Sequence, residues 1–431
     1  MRFQEEFLHF VWQFRLYDTL QLHTVDGRPL KILNCGFPNK HAGPDFSTAK
    51  IIIDETTWVG QVEVHLKSSD WNVHQHQNDH AYENVVLHVV WDYDTDISRS
   101  DGTILPTLSL QDKIPQHLFE NYENLIASTN AFPCEQQIGE IDQFVIHGFL
   151  SRILVERLEQ KSEEVFERLT QLNGNWDETF YHFIAKNFGF KVNALPMQLL
   201  AQGLPQQLFA KHKDQPLQIE ALIFGQAGFL NQSFENDYPN KLKTEYAFLR
   251  TKYALSPVDI SLWKFLRMRP QNFPTLRLAQ FAALITKSNH LFSKVLEVKN
   301  VKELHLLFEE LPVNDFWLSH YHFNKEAEKV SVQLGKSSVN NLLINTVSLF
   351  LFAYGKYTGQ HNYQTRALYL LESIAAEKNA IVFQYLEAGV VVENAYQTQA
   401  LLQLRKNYCN EKKCLNCGIG LKILKDIGLR Y

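Results

Sequence analysis

A chain of 431 residues exceeds what one hydrophobic core ordinarily supports, so two or three packed units are expected. A composition of 45% hydrophobic and 21% charged residues excludes wholesale disorder, and a net charge of -5 excludes a global basic field, so any nucleic-acid binding must come from local patches. Acids at positions 5 and 6 where a leader would be basic, the absence of a long apolar run, and an odd set of cysteines (Cys35, Cys134, Cys409, Cys414, Cys417) predict a cytoplasmic protein with no membrane span.

Phe3, Phe7, Phe10, Val11 and Phe14 form one apolar stripe on a helix over residues 3–16. PLKILNCG (29–36), FSTAKIIID (46–54) and WVGQVEVHLKSS (58–69) read as strands divided by Gly, Pro, Asn and Asp, with DETT (54–57) as a hairpin turn. HQNDHAYEN (76–84) suits a short helix capped near Asn78 or Asp79. VVLHVVWDYD (85–94) is a nearly continuous apolar run, the pattern of a strand buried on both faces. The order is α-β-β-β-α-β, an α+β domain with a mixed sheet. Residues 95–133 read as a surface loop and a connector with one helix around 115–127, and a boundary falls near 135. From Ile141 to about 408 the pattern is helical throughout, with no fixed-period repeat. The expected units are therefore an α/β domain with its connector over 1–134, a large all-α region over 135–404 and a cysteine-rich tail over 405–431. That tail is basic, with seven cationic residues, Arg405 to Arg430, against Glu411 and Asp426.

Residues two apart in a strand share a face, so Gln61, Glu63, His65 and Lys67 form a polar row opposite Val62, Val64 and Leu66. By default such a row faces water. GPDF (43–46), however, puts Asp45 at the start of the preceding strand, and a hairpin brings opposing side chains within about 5 Å, so Asp45 is placed to meet Glu63. Carboxylates from two strands with an adjacent histidine suit Mg2+ or Mn2+, and the histidines also admit zinc. His74, His76, Asp79, His80 and His88 follow closely, with His74 and His76 able to share an extended face; the alternative is helix caps and surface histidines.

GPDF, W-x-G-x-V-E-V-H, SSDW-x-x-H-x-H and D-x-A-Y-x-N-V-x-L-H-V-V together resemble the opening signature of a large bacterial family of unknown function, and RPQNFPTLRLAQ (269–280), the HYHF region and the closing YC-x4-C-x2-C-x-IG segment resemble its later markers. The N-terminal element order is similar to the core of the PD-(D/E)XK nucleases. That resemblance implies Glu5 or Glu6 as the helix acid, Asp45 and Glu63 as ligands of a divalent ion, and His65 where a lysine is usual, with Lys67 one pleat away to supply the charge. The function it implies is metal-dependent phosphodiester hydrolysis on DNA or RNA, or nucleic-acid binding by a nuclease-derived site. The alternatives are a non-catalytic helical interaction protein with a metal-bound tail, and a small-molecule metallohydrolase.

Cys409, Cys414 and Cys417 place three thiols within nine residues, and Cys134 is the natural fourth ligand of a zinc ion or an iron–sulfur cluster, an arrangement that resembles the cysteine staple of some recombination and CRISPR-adaptation nucleases. Gly418 and Gly420 supply flexibility there, and Cys35 reads as a buried strand residue. Between 241 and 277, cations alternate with aromatics, as phosphates and stacked bases require, although amphipathic helices give the same mixture. Arg267, Arg269, Asn272, Arg277 and Gln280 surround the rigid RPQNFP turn before a helix and are the candidate nucleic-acid contacts.

Overall fold

The computed structural model describes residues 3–288 and 290–425; Asp426 and Arg430 of the tail lie outside the described residues. The chain divides into two compact units. The first comprises the described parts of Met1–Phe149, Phe383–Val391 and Leu402–Tyr431, and the second Leu150–Val382 and Val392–Leu401.

The first unit opens with helix α1 (Glu5–Gln13), whose stripe of Phe7, Leu8, Phe10, Val11 and Trp12 is buried. A mixed sheet follows, with strands β1 (Leu30–Asn34), β2 (Phe37–Pro38), β3 (Phe46–Ile53), β4 (Thr56–Lys67), β5 (Val85–Asp92) and β6 (Thr107–Ser109), in spatial order β1-β3-β4-β5-β6 with β2 on β3. β1, β3 and β4 are antiparallel, and Asp54, in the left-handed region at φ 55°, turns β3 into β4. β5 and β6 then add in parallel, which requires the crossover from 68 to 84. β5 is buried along six consecutive residues, as its unbroken apolar run predicts. The aliphatic side chains of Ile51, Ile53, Val62, Val64, Leu87 and Val89 are all but fully buried, each contributing about 1.5–3 kcal/mol. Gly60 in β4 is required by close packing: a Cβ there would collide with the Val86 side chain and the Asn84 carbonyl of the parallel partner.

Three details differ from the sequence reading. The crossover is not one helix over 76–84 but the short helix α2 (Asp70–Val73) and two 3-10 turns, His76–Asn78 and His80–Tyr82, with Asp79 capping the second by accepting from Ala81 N–H. The region read as loop and connector contributes the edge strand β6, pinned by Leu108, before helix α3 (Gln116–Ala127). The cysteine-bearing segment, a π-turn at Arg405–Cys409, a 3-10 turn at Cys414–Asn416 and a helix at Gly418–Lys425, folds into this same unit, where the Asn121 side chain on α3 donates to the carbonyl of Ile423 at 3.2 Å.

The second unit is helical, as its 3.6-residue periodicity predicts. Asn175 caps the helix Trp176–Phe188 by accepting from Glu178 N–H, and prolines open the helices Pro216–Gln226 and Pro274–Lys287. A small antiparallel pair, His320–His322 with Lys325–Glu326, interrupts the helical pattern. Among the described residues, no helix is long and apolar enough to cross a membrane.

Candidate metal centre

The antiparallel register pairs Phe46 with Val62, so Asp45 arrives opposite Glu63. A bulge between Phe46 and Ala49, with Thr48 at φ 57°, bends the start of β3. The two acids interlock through the backbone: Asp45 N–H donates to Glu63 Oε2 at 3.1 Å, and Val64 N–H donates to Asp45 Oδ2 at 3.0 Å. The polar row of β4 is not turned to water. Glu63 is 5% exposed and His65 1%, because α1 packs against β4 and brings His9 over the acids, its Nε2 3.3 Å from Asp45 Oδ2 and 3.7 Å from Glu5 Oε1.

The crossover closes the other side. Asp94 grips its start, accepting from Ser68 Oγ at 2.8 Å, Ser69 N–H at 2.9 Å and Ser69 Oγ at 2.7 Å; these bonds, the Ser69 hydroxyl's first, hold its carboxyl down at about 2. Trp71 anchors the same loop in a cluster with Val85, Ile97, Leu105 and Tyr82. Gln75, in the left-handed region at φ 61°, folds the chain back between His74 and His76.

Four ligand atoms meet as a result. Glu63 Oε1 lies 3.2 Å from His76 Nε2 and 3.5 Å from His65 Nε2, and His74 Nδ1 lies 3.2 Å from His65 Nε2. The nitrogens of His65, His74 and His76 are all within 4.8 Å of one another. On the far side of the ring, His65 Nδ1 is 2.9 Å from Nε2 of His88, which stands beside Glu63 in the β4–β5 register. With Nδ1–H donated to His88, His65 Nε2 carries a free lone pair toward the cluster.

Burial acts oppositely on the two kinds of group. It raises the Glu63 carboxyl well above the ordinary carboxylate range, with the charge of Asp45 adding to the effect. It pushes His65 down to about 2, helped by His88, His76 and His74, and His88 down to about 3; His76 is lowered as well, first by burial. Burial would also lower His9, but the hydrogen bond and charge of Asp45 and the charge of Glu5 outweigh it and raise the imidazole. His65, His76 and His88 are thus disfavoured as cations, beside a carboxyl that favours its proton. His76 Nε2 is buried and, apart from the 3.2 Å approach of Glu63 Oε1, has no polar partner among the described residues. Three imidazoles and a carboxylate are a donor set for a first-row divalent ion, with zinc, manganese and iron better matched than magnesium.

A family model described as Protein of unknown function (DUF2851) matches residues 5–380. The chain belongs to this family. Searches of curated proteins and of solved structures return no match. The DUF2851 match takes in every residue of the centre and Cys134; Cys409, Cys414 and Cys417 lie beyond it.

Within this DUF2851 chain, Asp45, Glu63, His65, His74 and His76 come together, and the helix acid on that side is Glu5, Glu6 being exposed. Lys67 does not join them. It ends β4 exposed, with its backbone N–H bonded to Asp70, because the crossover leaves the sheet there. His80 points to solvent beside Glu83, and Asp79 is spent on its cap. His9 was not foreseen from sequence; its signal is the spacing of four from Glu5, which shares its helix face.

The RPQNFP residues divide. Arg277 and Gln280 are buried, and the Arg277 guanidinium donates to Gln280 Oε1 at 2.9 Å, Asn272 Oδ1 at 2.6 Å and Ser338 Oγ at 3.1 Å while stacking over Phe190. These are internal braces and not a surface for nucleic acid, since burial leaves the guanidinium facing neutral acceptors instead of phosphate. Arg267 and Arg269 are exposed. All five cysteines are free thiols; Cys35 is only half-buried, its Sγ 3.5 Å from the Gln13 carbonyl, because β1 lies near the sheet edge. Cys134, Cys409, Cys414 and Cys417 line one pocket of the first unit, where burial raises Cys414 and Cys417 to about 12.

Proposed function

We propose that the N-terminal unit is a metal-dependent phosphodiesterase of nuclease type, acting on nucleic acid in a reducing, cytoplasmic setting. The observation that carries the reading is the meeting of Glu63 Oε1 with His65 and His76 at 3.5 and 3.2 Å, beside Asp45 and under a helix that contributes His9 and Glu5. A bound Mn2+, Zn2+ or Mg2+ supplies Lewis acidity and an activated water. Glu63, His65, His74 and His76 would hold the ion. Asp45 organises Glu63 through the paired backbone bonds and orients His9, whose Nε2 faces the Asp45 and Glu5 carboxylates beside the ion's place. His88 holds the His65 ring from behind. Five free cysteines favour the reducing compartment.

The depth of Glu63 and His65 favours a second reading, hydrolysis of a small phosphoester or related molecule that reaches a narrow site. One experiment separates the two. The full chain is incubated with Mg2+, Mn2+ or Zn2+ and with labelled single-stranded DNA, duplex DNA, RNA and a small chromogenic phosphodiester. The first reading expects polymer cleavage that falls by about two orders of magnitude or more in Asp45→Ala and Glu63→Ala. Cleavage of the small ester alone moves the assignment to the second. Absence of cleavage with every ion and substrate defeats both and leaves a non-catalytic binding module.

A further inference from the structure

Four thiols from segments some 275 residues apart in sequence share one pocket. Cys134 follows α3, Cys409 closes the π-turn Arg405–Cys409, and Cys414 and Cys417 flank the next short turn. All four are free, three of them buried, and they line the pocket with Leu125 and Tyr408. We propose that these cysteines form a tetrathiolate metal centre that fastens the C-terminal segment to the α/β unit, independent of the histidine site.

Local structure supports the assignment. Ile419 and Gly420 direct backbone N–H groups at Cys417 Sγ, and the Tyr385 hydroxyl lies 3.3 Å from Cys409 Sγ, so these sulfurs already have the donors that a metal-bound thiolate needs in its outer shell. Gly420 is there for closeness and not for flexibility: a Cβ would run into the Cys414 carbonyl, and the turn carrying Cys414 would have to move. The surroundings are held from several directions, with Lys412 Nζ donating to the Ser128 carbonyl at 3.1 Å, Arg405 over the Phe132 ring, and Asn121 bonded to the Ile423 carbonyl. Four thiols lining one pocket, three of them buried and none in a disulfide, are costly as a purely structural device, since small apolar residues would fill the same space. A soft cation, as single zinc or as an iron–sulfur cluster, accounts for all four at once.

The test uses the full chain purified without oxygen, in the wild type, a Cys35→Ser control, a Cys414→Ser/Cys417→Ser variant, and a Glu63→Gln/His74→Ala variant that removes the histidine site's contribution. Zinc, iron and acid-labile sulfide are measured per chain. The proposal expects about one equivalent of zinc, or iron with matching sulfide and visible absorption, in the histidine-site variant, and the loss of that same amount from the wild type on Cys414→Ser/Cys417→Ser but not on Cys35→Ser. Zinc and iron–sulfide each support the centre and say which form it takes. Because the cysteine variant can fail to fold, the wild type carries a second readout: cobalt exchanged into a zinc-containing protein must show thiolate-to-metal charge-transfer absorption. A histidine-site variant without either metal, a cysteine variant that holds as much metal as the wild type, or cobalt without thiolate absorption overturns the proposal.

Discussion

Glu63 and His65 answer the same burial in opposite senses, the acid by keeping its proton and the imidazole by losing its own. Neither group then stands as an unpaired buried charge. A cation entering it must displace the Glu63 proton, because the folded-state pKa of that carboxyl is raised and the group is protonated near neutrality. Affinity for Mn2+ or Zn2+ therefore increases with pH, by up to about tenfold per unit while one proton is exchanged, and the increase is flattened in Glu63→Gln. Competition titrations with a chelating dye at several pH values check this; equal slopes in wild type and variant would refute the linkage. A separate expectation concerns His88, which touches His65 without reaching the acids. His88→Phe leaves His65 without its rear partner and weakens metal binding by about 10–100-fold, the scale of outer-shell substitutions, while His80→Ala at the exposed turn leaves binding unchanged.

At the scale of elements, the close approach of β4 and β5 and the pairing of two helices in the second unit carry distinct consequences. Gly60→Ala drives a methyl into Val86 and the Asn84 carbonyl and destabilises the protein by about 1–3 kcal/mol, read from urea unfolding; an unchanged midpoint would mean that the strands can part at no cost. In the second unit, Glu220 on the helix Pro216–Gln226 is 8% exposed and faces Tyr238 on the helix Asp237–Tyr253. Burial raises its carboxyl to about 7, against which the bond from Tyr238 works only partly. The folded chain thus holds this proton more tightly than the unfolded chain. The resulting stability is fully present below about pH 4.5 and is lost as pH rises through about 7, a contribution on the order of 3 kcal/mol. Relative to wild type, Glu220→Gln gains stability between about pH 5 and about pH 8, and urea midpoints of both proteins at those two values decide the matter.

For the whole molecule, the division into units places the end of the chain with its beginning. Phe383–Val391 and the described part of Leu402–Tyr431 complete the first unit, so residues 1–149 expressed alone lack the carbonyls that Asn121 binds and the segment that covers α3. Such a fragment is expected to unfold with low cooperativity and to bind hydrophobic dyes, whereas a fragment with a sharp transition like that of the full chain would show the tail to be dispensable. The expected boundary at 134/135 rested on a change of periodicity. The compact units instead divide at Phe149/Leu150, within the helix Gln143–Gln171, because a helix can start in one core and continue into the next without any change in its pattern.

Much of this was legible in the chain. Alternation in VEVH, the DETT turn and the unbroken run of β5 state strand identity and order through local sterics and period, and from these it follows that Asp45 and Glu63 oppose each other. Periodicity says which face a residue lies on, but not what covers that face. The sequence alone put Glu63 and His65 on one face without saying what covers it, Lys67 beside them, and Arg277 among the contacts for phosphate. Only the tertiary structure decided that α1 and the crossover bury the first two, that the sheet's end leaves Lys67 outside, and that Arg277 braces an interior. His9 belongs to that same class, since its place over the acids depends on long-range packing, which no local pattern encodes, whereas His74, His76 and the grouping of Cys134 with Cys409, Cys414 and Cys417 were already expected from residue type and spacing.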